Sequence, residues 1–486
     1  MADLTDRFTI VGGGYSGLVL ALNLHEKGFR NIEVLDSGEE SATLKKAHMF
    51  TVKRATGINR LAKMSNVNPE DLYVAGIEFR RWIGLREDDP SFIFNASVSD
   101  AHHAFGLINP DFLGAALISS LRSRGVNLQY RTRVITKDGK NGQALVAISE
   151  DSERAIATDY LFDATNFGII FRSLKGRDSK SLLADDPRIC DILCKRIEGT
   201  MNADVFVSTY GHSFGPFSWM APSSQDTEYQ YQPRTIDFIA TRYCYLSERN
   251  ERILAQRLRN MLVNARNNPV IKKEITSITD LENIIDLSDQ ELSLGTDMRG
   301  FYRMEPSRNI RLDSAPHIAG KGVFLVGNAA GWGDPTMGNI FYASLEIADR
   351  LASMLKEGRE REFYNWWRYN GVVDYDFSMA FKHSRISPKG NGERRKKFVQ
   401  AVNSLSDEAK FAAAVSASIS WPNKFRLLRG NFRYLAELLA KTHLPFHLGY
   451  IMDGGYCYGK EWGMPHQPLT FSFGKGLSRE TRPYGY

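Results

Sequence analysis

Three glycines near the start of the 486-residue chain, Gly12, Gly14 and Gly17, stand in the spacing Gly-x-Gly-x-x-Gly. They follow a short apolar run from Phe8 to Val11 and precede a stretch, Tyr15 to Lys27, with apolar residues at helical spacing. A second apolar run, Ile32 to Leu35, ends at Asp36, so the pieces complete a βαβ unit within about 30 residues. Each position has a use in holding a dinucleotide. Gly12 permits a tight turn, Gly14 lets a pyrophosphate approach the backbone, and Gly17 lets helix and strand pack closely. The helix N-terminus, at Ser16, offers N–H groups and a partial positive charge to phosphate oxygens. Asp36 ends the second strand where its carboxylate can accept hydrogen bonds from an adenosine ribose. These residues predict a dinucleotide site and leave open whether the ligand is NAD or FAD.

A second element lies in the second half of the chain. The apolar run Val323 to Val326 leads into Gly327-Asn328-Ala329-Ala330-Gly331-Trp332-Gly333-Asp334-Pro335-Thr336-Met337-Gly338-Asn339, and helical spacing resumes from Ile340 to Leu355. This stretch resembles the Gly-Asp-Ala-Ala-Gly segment of FAD-dependent aromatic hydroxylases, geranylgeranyl reductases and flavin-dependent halogenases. In those families the acid binds the ribityl chain of FAD, and the turn that follows faces the flavin ring. The resemblance implies FAD contacts for Gly327, Asn328, Ala329, Gly338 and Asn339. Asn328 replaces the usual aspartate, keeping an acceptor and adding donors, and the usual Gly-x-Gly after the proline is shortened to Gly338-Asn339. FAD is preferred to NAD because only the former calls for a ribityl element so far from the glycine loop.

Intervening pieces resemble the same superfamily. Ala157 to Phe162 reads as a strand leading to Asp163-Ala164-Thr165-Asn166-Phe167-Gly168, similar to the Asp-Ala-x-Gly turn that brings the chain back to FAD, which adds Ala164 to the cofactor set. Met49 to Ala62 resembles the segment in which kynurenine monooxygenase and its relatives place a cofactor-directed arginine; Arg54 is the candidate, the alternative being a solvated charge. The arginine that opens the next family helix is missing, since the local sequence is Ile108-Asn109-Pro110-Asp111-Phe112. That absence marks a divergent member.

Alternating residues across 200–245 and 285–312 predict half-buried strands of an antiparallel sheet beside the cofactor domain. Within them Phe217-Ser218-Trp219-Met220-Ala221-Pro222 resembles the Tyr-x-Trp-x-Phe-Pro motif of geranylgeranyl reductases, matching at Trp219 and Pro222. That strand flanks the space between substrate and flavin in the family, and Trp219 serves either there or as a core aromatic. His212 is a candidate acid/base, or a structural histidine. Asp334 is a candidate for steering a substrate hydroxyl or amine, or a helix N-cap. Lys45, Lys46 and Lys53 lack the Gly-Glu context of a halogenase lysine. No second Gly-x-Gly-x-x-Gly unit appears, so electrons come from NAD(P)H on a transient visit or from a partner flavin reductase.

These residues need an α/β scaffold. The resemblance implies a Rossmann-like, para-hydroxybenzoate hydroxylase-like FAD domain from 1–190 and 310–358, with a β-sheet substrate domain at 191–309. Helical spacing, as in Leu427, Leu428, Phe432, Leu435, Leu438 and Leu439, predicts a helical cap at 359–445, and 446–486 reads as an aromatic-rich tail lying on the body. The turn-rich basic stretch 382–397 is either a solvated loop or a dock for a carrier protein or membrane surface.

With 43% apolar and 24% charged residues, collagen-like and disordered classes are excluded. A net charge of +6 from 62 basic and 56 acidic residues gives no case for nucleic acid. Cys190, Cys194, Cys244 and Cys457 are too scattered for a disulfide framework and predict a reducing compartment. Cys190 and Cys194 could share a helical face, but no further ligand stands nearby, so no metal is expected. The opening Met-Ala-Asp-Leu-Thr-Asp-Arg lacks the pattern of a secretion signal, and no apolar span reaches about 18 residues, which predicts a cytoplasmic protein. The resemblance implies an FAD-dependent monooxygenase acting on an apolar or aromatic small molecule through a flavin C4a-hydroperoxide. An alkene reductase, a halogenase and a non-catalytic flavin-binding protein are the alternatives.

Overall fold

Strand Phe8–Val11 is buried along its whole length, as a parallel strand covered on both faces must be. The computed structural model describes residues 2–363 apart from 43–48, 53–55, 87–92, 98–104, 140–141, 166–167, 175–187, 211–216, 224–234, 246–247, 249, 294–296, 303–310, 313–318, 331 and 333–338. The proposed cap beyond 363, the basic stretch and the tail therefore lie outside the described residues.

Phe8–Val11 pairs in parallel with Ile32–Leu35 on one side and Thr158–Asp163 on the other, and Thr158–Asp163 pairs in parallel with Ala319–Leu325. Asn127–Gln129 extends this sheet beyond Ile32–Leu35, while Arg311–Leu312 adds an antiparallel edge. Helix Tyr15–Glu26 packs against helices Pro110–Ser123 and Asn339–Lys356. Leu18, Leu22, Leu117, Leu121, Leu351 and Leu355 share one core with the sheet. Aromatic rings fill the sheet side of it: Phe8 stacks on Tyr160 with centroids 5.2 Å apart, and Phe162 on Phe324 at 5.5 Å. Asn109 starts the helix Pro110–Ser123 by accepting the Phe112 N–H, with proline at the first position. A meander of Arg133–Gly139, Gly142–Ile148 and Glu153–Ala155 adds Val134, Leu145 and Ala147 to the same core.

Among the described residues the second sheet has eight strands, in the order Ile275–Ile278, Arg188–Met201, Thr235–Tyr245, Phe217–Ser223, Val205–Tyr210, Arg81–Arg86 and Ile93–Ser97, with Asp297–Tyr302 also paired to Arg188–Met201. Every pairing is antiparallel except that of Val205–Tyr210 with Arg81–Arg86. Alternation along the strands turns Val205, Val207, Met220, Ile236 and Phe238 toward helix Glu251–Asn267, whose Leu254, Leu258, Met261 and Leu262 complete that core. Phe206, Ser208, Trp219, Asp237 and Ile239 consequently lie on the opposite face. Pro222 pairs with Ile236 but stands past Met220, where the pairing with Val205–Tyr210 stops, so its missing N–H breaks no ladder on that side.

Two expectations are corrected. The strands predicted for 285–312 give way at their start to helices Leu281–Asp286 and Asp289–Ser293, and among the described residues of that range Asp297–Tyr302 and Arg311–Leu312 are extended. The second of these helices is started by a capping box: Ser288 N–H donates to Glu291 Oε2 at 2.9 Å and Glu291 N–H donates back to Ser288 Oγ at 3.2 Å. Cys190 and Cys194 sit on a strand, not a helix, opposite Tyr243 and Ile239. Among the described residues no cluster of His, Cys, Asp or Glu could hold a metal ion, and no helix is long and apolar enough to cross a membrane.

Candidate functional site

The register of the parallel sheet aligns Val11 with Leu35 and with Asp163, and Asp163 with Leu325. Four neighbouring strands therefore end at one level. The residues that leave them are Gly12, Asp36, Ala164 and Val326, followed by the turn Gly327–Ala330. Backbone bonds carry the alignment one step further: Gly12 N–H donates to Leu35 at 2.8 Å, Ala164 N–H to Val11 at 2.8 Å and Val326 N–H to Asp163 at 2.9 Å. The carboxyl edge of such a sheet is where α/β folds form ligand crevices.

Gly12 has φ of +112°, and a Cβ there would stand 2.7 Å from the backbone carbon and oxygen of Ala164. The first glycine is thus required both by its turn and by the next strand. A Cβ at Gly17 would meet the Gly12 carbonyl oxygen at 2.1 Å, which is the close helix–strand approach the spacing predicts. Gly14 differs. It is exposed, and among the described residues nothing lies within 4 Å of where its Cβ would be, so they leave the space above the helix entrance open to a ligand. Among the described residues no side chain caps that entrance, and no acid occupies the first helical turn, which leaves the helix dipole directed at the same space.

Asp36 is partly buried, and its carboxylate accepts from Gly13 N–H through Oδ2 and from Gly38 N–H through Oδ1, the latter at 2.6 Å. It therefore holds the glycine loop as well as standing at the ribose position; each oxygen keeps a further lone pair for a ligand hydroxyl. Asp163 is fully buried below Ala164. Its oxygens accept from the Thr165 N–H and hydroxyl and from the Phe171 N–H at 3.0, 2.5 and 2.7 Å. Burial pushes this carboxyl above its ordinary value, against the lowering effect of those hydrogen bonds.

On the far side of the crevice Gly327, with φ of +72°, starts the turn that carries Asn328 and Ala329; Asn328 is partly exposed. Asn339 begins helix Asn339–Lys356. Strand Asp297–Tyr302 of the second sheet lies against the Gly327–Ala330 turn, which brings that sheet to the flank of the crevice. Trp219 is buried in the sheet face away from helix Glu251–Asn267, opposite Ser208 and Ile239. Phe206 stands beside it at 5.6 Å between centroids and meets Trp82 edge-on at 4.7 Å. Arg54, His212, Asp334 and Gly338 lie outside the described residues.

Sequence reading missed two features of this face. Arg196 binds Asp237 with both ends of its fork, at 2.6 and 2.9 Å, and the Trp82 indole N–H donates to Ser208 Oγ at 2.6 Å. Burial works against the Arg196 charge, yet the Asp237 hydrogen bonds and charge prevail and raise its pKa. A basic residue at an alternating strand position was the available signal; its partner, opposite it on the adjacent strand but 41 residues away in sequence, was not readable.

No protein-family model matches the sequence, and comparison with curated proteins gives no match. Solved structures do share the fold. A geranylgeranyl bacteriochlorophyll reductase-like protein from Thermoplasma acidophilum superposes with a TM-score of 0.57 at 14% identity, over 90% of this chain and 99% of that one. The myxobacterial chondrochloren halogenase CndH, described as an FAD-dependent halogenase, gives 0.53 at 14% identity over 82% and 90% of the two chains. A variant of HpxO from Klebsiella pneumoniae, complexed with FAD, gives 0.52 at 16% identity over 85% and 98%. The fold is the one expected from the sequence resemblance, a largely parallel α/β sheet joined to a largely antiparallel one.

Proposed function

We propose that the chain is an FAD-dependent oxidoreductase, and that it acts as a monooxygenase on an apolar or aromatic small molecule. The observation that carries the cofactor assignment is the alignment of Gly12, Asp36, Ala164 and Gly327 along one edge of four adjacent strands, with open space at Gly14. The residues fit the group. The Gly12–Ser16 loop and helix N-terminus would hold the pyrophosphate, Asp36 the adenosine ribose, and Asn328 with Ala329 the ribityl chain. Structures sharing the fold, one of them complexed with FAD, support the same reading.

Bound FAD supplies two-electron transfer and, once reduced, the capacity to activate dioxygen. The chain's own part is orientation and exclusion of water. The helix entrance would fix the phosphates, the Asp163 hydrogen bonds hold the backbone beneath Ala164, and strand Asp297–Tyr302 brings the second sheet to the flank of the crevice. In the hydroxylation proposed, one oxygen atom enters the substrate and the other leaves as water. Two electrons come from NAD(P)H or from a partner flavin reductase. Reduction of an isolated alkene is the second reading, supported by Trp219 and Pro222 on their strand and by the reductase-like structure above.

Purified protein titrated with FAD tests the cofactor: saturable binding with a perturbed visible spectrum is expected, and rejection of FAD would remove both readings. Reduced holoprotein is then offered extracts of apolar metabolites under isotopically labelled dioxygen. Label in a product supports oxygenation, whereas a product gaining two hydrogens under nitrogen transfers the assignment to the reductase.

A further inference from the structure

Ser16, in the first turn of helix Tyr15–Glu26, and Ser344, in the second turn of helix Asn339–Lys356, meet hydroxyl to hydroxyl at 2.9 Å. Ser344 is completely buried. Gly327 closes on the same point, since a Cβ there would stand 2.9 Å from both Cβ and Oγ of Ser16. Three segments remote in sequence are thereby joined at one serine: the helix that receives the pyrophosphate, the turn that receives the ribityl chain, and the helix after that turn. A hydroxyl pair fixes direction as well as distance, because one hydrogen must point along the bond. Farther along the same helix pair, Asp349 binds Lys27 at 2.9 Å and Arg60 at 2.8 Å, so the helices remain docked without the serine bond.

We propose that Ser344 is a positioning residue: through Ser16, and against the bare backbone of Gly327, it sets the separation between the nucleotide half and the ribityl half of the cofactor site. The inference rests on the FAD reading above. Its consequence is selective. A ligand that spans both halves gains from their correct separation, as any bivalent ligand does, while a ligand confined to one half is indifferent to it. FAD spans both halves; ADP occupies the nucleotide half alone.

The test compares equilibrium binding of FAD and ADP to the full-length wild type, Ser344→Ala and Gly327→Ala, the last placing a methyl group against Ser16 from the other side. Ser344→Ala is expected to weaken FAD roughly three- to tenfold, the worth of one net hydrogen bond, with ADP affinity unchanged. The visible spectrum of bound FAD should shift with it. Gly327→Ala should change the FAD-to-ADP ratio in the same direction, and it decides the matter if Ser344→Ala does not fold. Equal losses of FAD and ADP, or no loss of either, would overturn the proposal. A wild type that binds ADP but not FAD would instead overturn the cofactor reading, and this inference with it.

Discussion

At Gly12 two independent constraints fall on one α-carbon, a positive φ and an approach of 2.7 Å to Ala164. Gly12→Ala should therefore cost about 1–3 kcal/mol in backbone strain and displace the turn above it. Denaturant unfolding would show the first effect, and loss of FAD uptake the second. Asp163 is equally constrained, by hydrogen bonds. Both of its oxygens accept, so in Asp163→Asn the new amide must face a donor; a loss of about 1–3 kcal/mol is expected at neutral pH. The charge itself works the other way. Because burial holds the folded-state pKa above the ordinary 3.8, its contribution is present at low pH and is lost as pH rises through the folded value. The gap between wild type and Asp163→Asn should narrow on going from acid to neutral pH, and a gap that widens would contradict this account.

Between elements, the pairing of helix Tyr15–Glu26 with helix Asn339–Lys356 depends on Asp349, which Lys27 and Arg60 both reach while Arg60 also donates to buried Asn23 at 2.7 Å. Burial alone would raise the Asp349 pKa, but the hydrogen bonds and charges of Arg60 and Lys27 prevail and hold it below its ordinary value. The sign is thus opposite to that of Asp163: the contribution is present above the ordinary value of 3.8 and lost as pH falls through the lower folded value. Asp349→Asn should destabilise by about 1 kcal/mol at neutral pH, between the worth of an exposed and a buried pair. In acid melts the two proteins should converge.

The elements themselves were unevenly readable from sequence. Phe8–Val11 and Ile32–Leu35 could be bounded to the residue because each is a short apolar run ended by glycine or by aspartate. The helices near 281–293 were hidden because alternation and helical spacing coincide over so few residues, and the decisive Ser288–Glu291 cap lies in a stretch read as strand. Of the site, the glycine loop and the Asn328 turn were visible as local motifs. Arg196–Asp237 and Ser16–Ser344 were not, because each is made only when distant segments are brought together.

For the molecule as a whole, FAD should act as a folding ligand. If FAD binds as proposed, across both ends of the sheet edge, FAD at one hundred times its dissociation constant should add about 2.7 kcal/mol to stability. A melting temperature that rises with the logarithm of FAD concentration would bear this out, and one indifferent to FAD would mean that the crevice is not its site.

The parallel pairing of Arg81–Arg86 with Val205–Tyr210 bears on how this fold can be rebuilt. A chimera that transplants a foreign second sheet by splicing a single cassette after Arg188 would deprive that sheet of its native neighbour, and the orphaned Arg81–Arg86 strand would meet a mismatched edge. A recombination that keeps this pairing native must therefore exchange two stretches of the gene together.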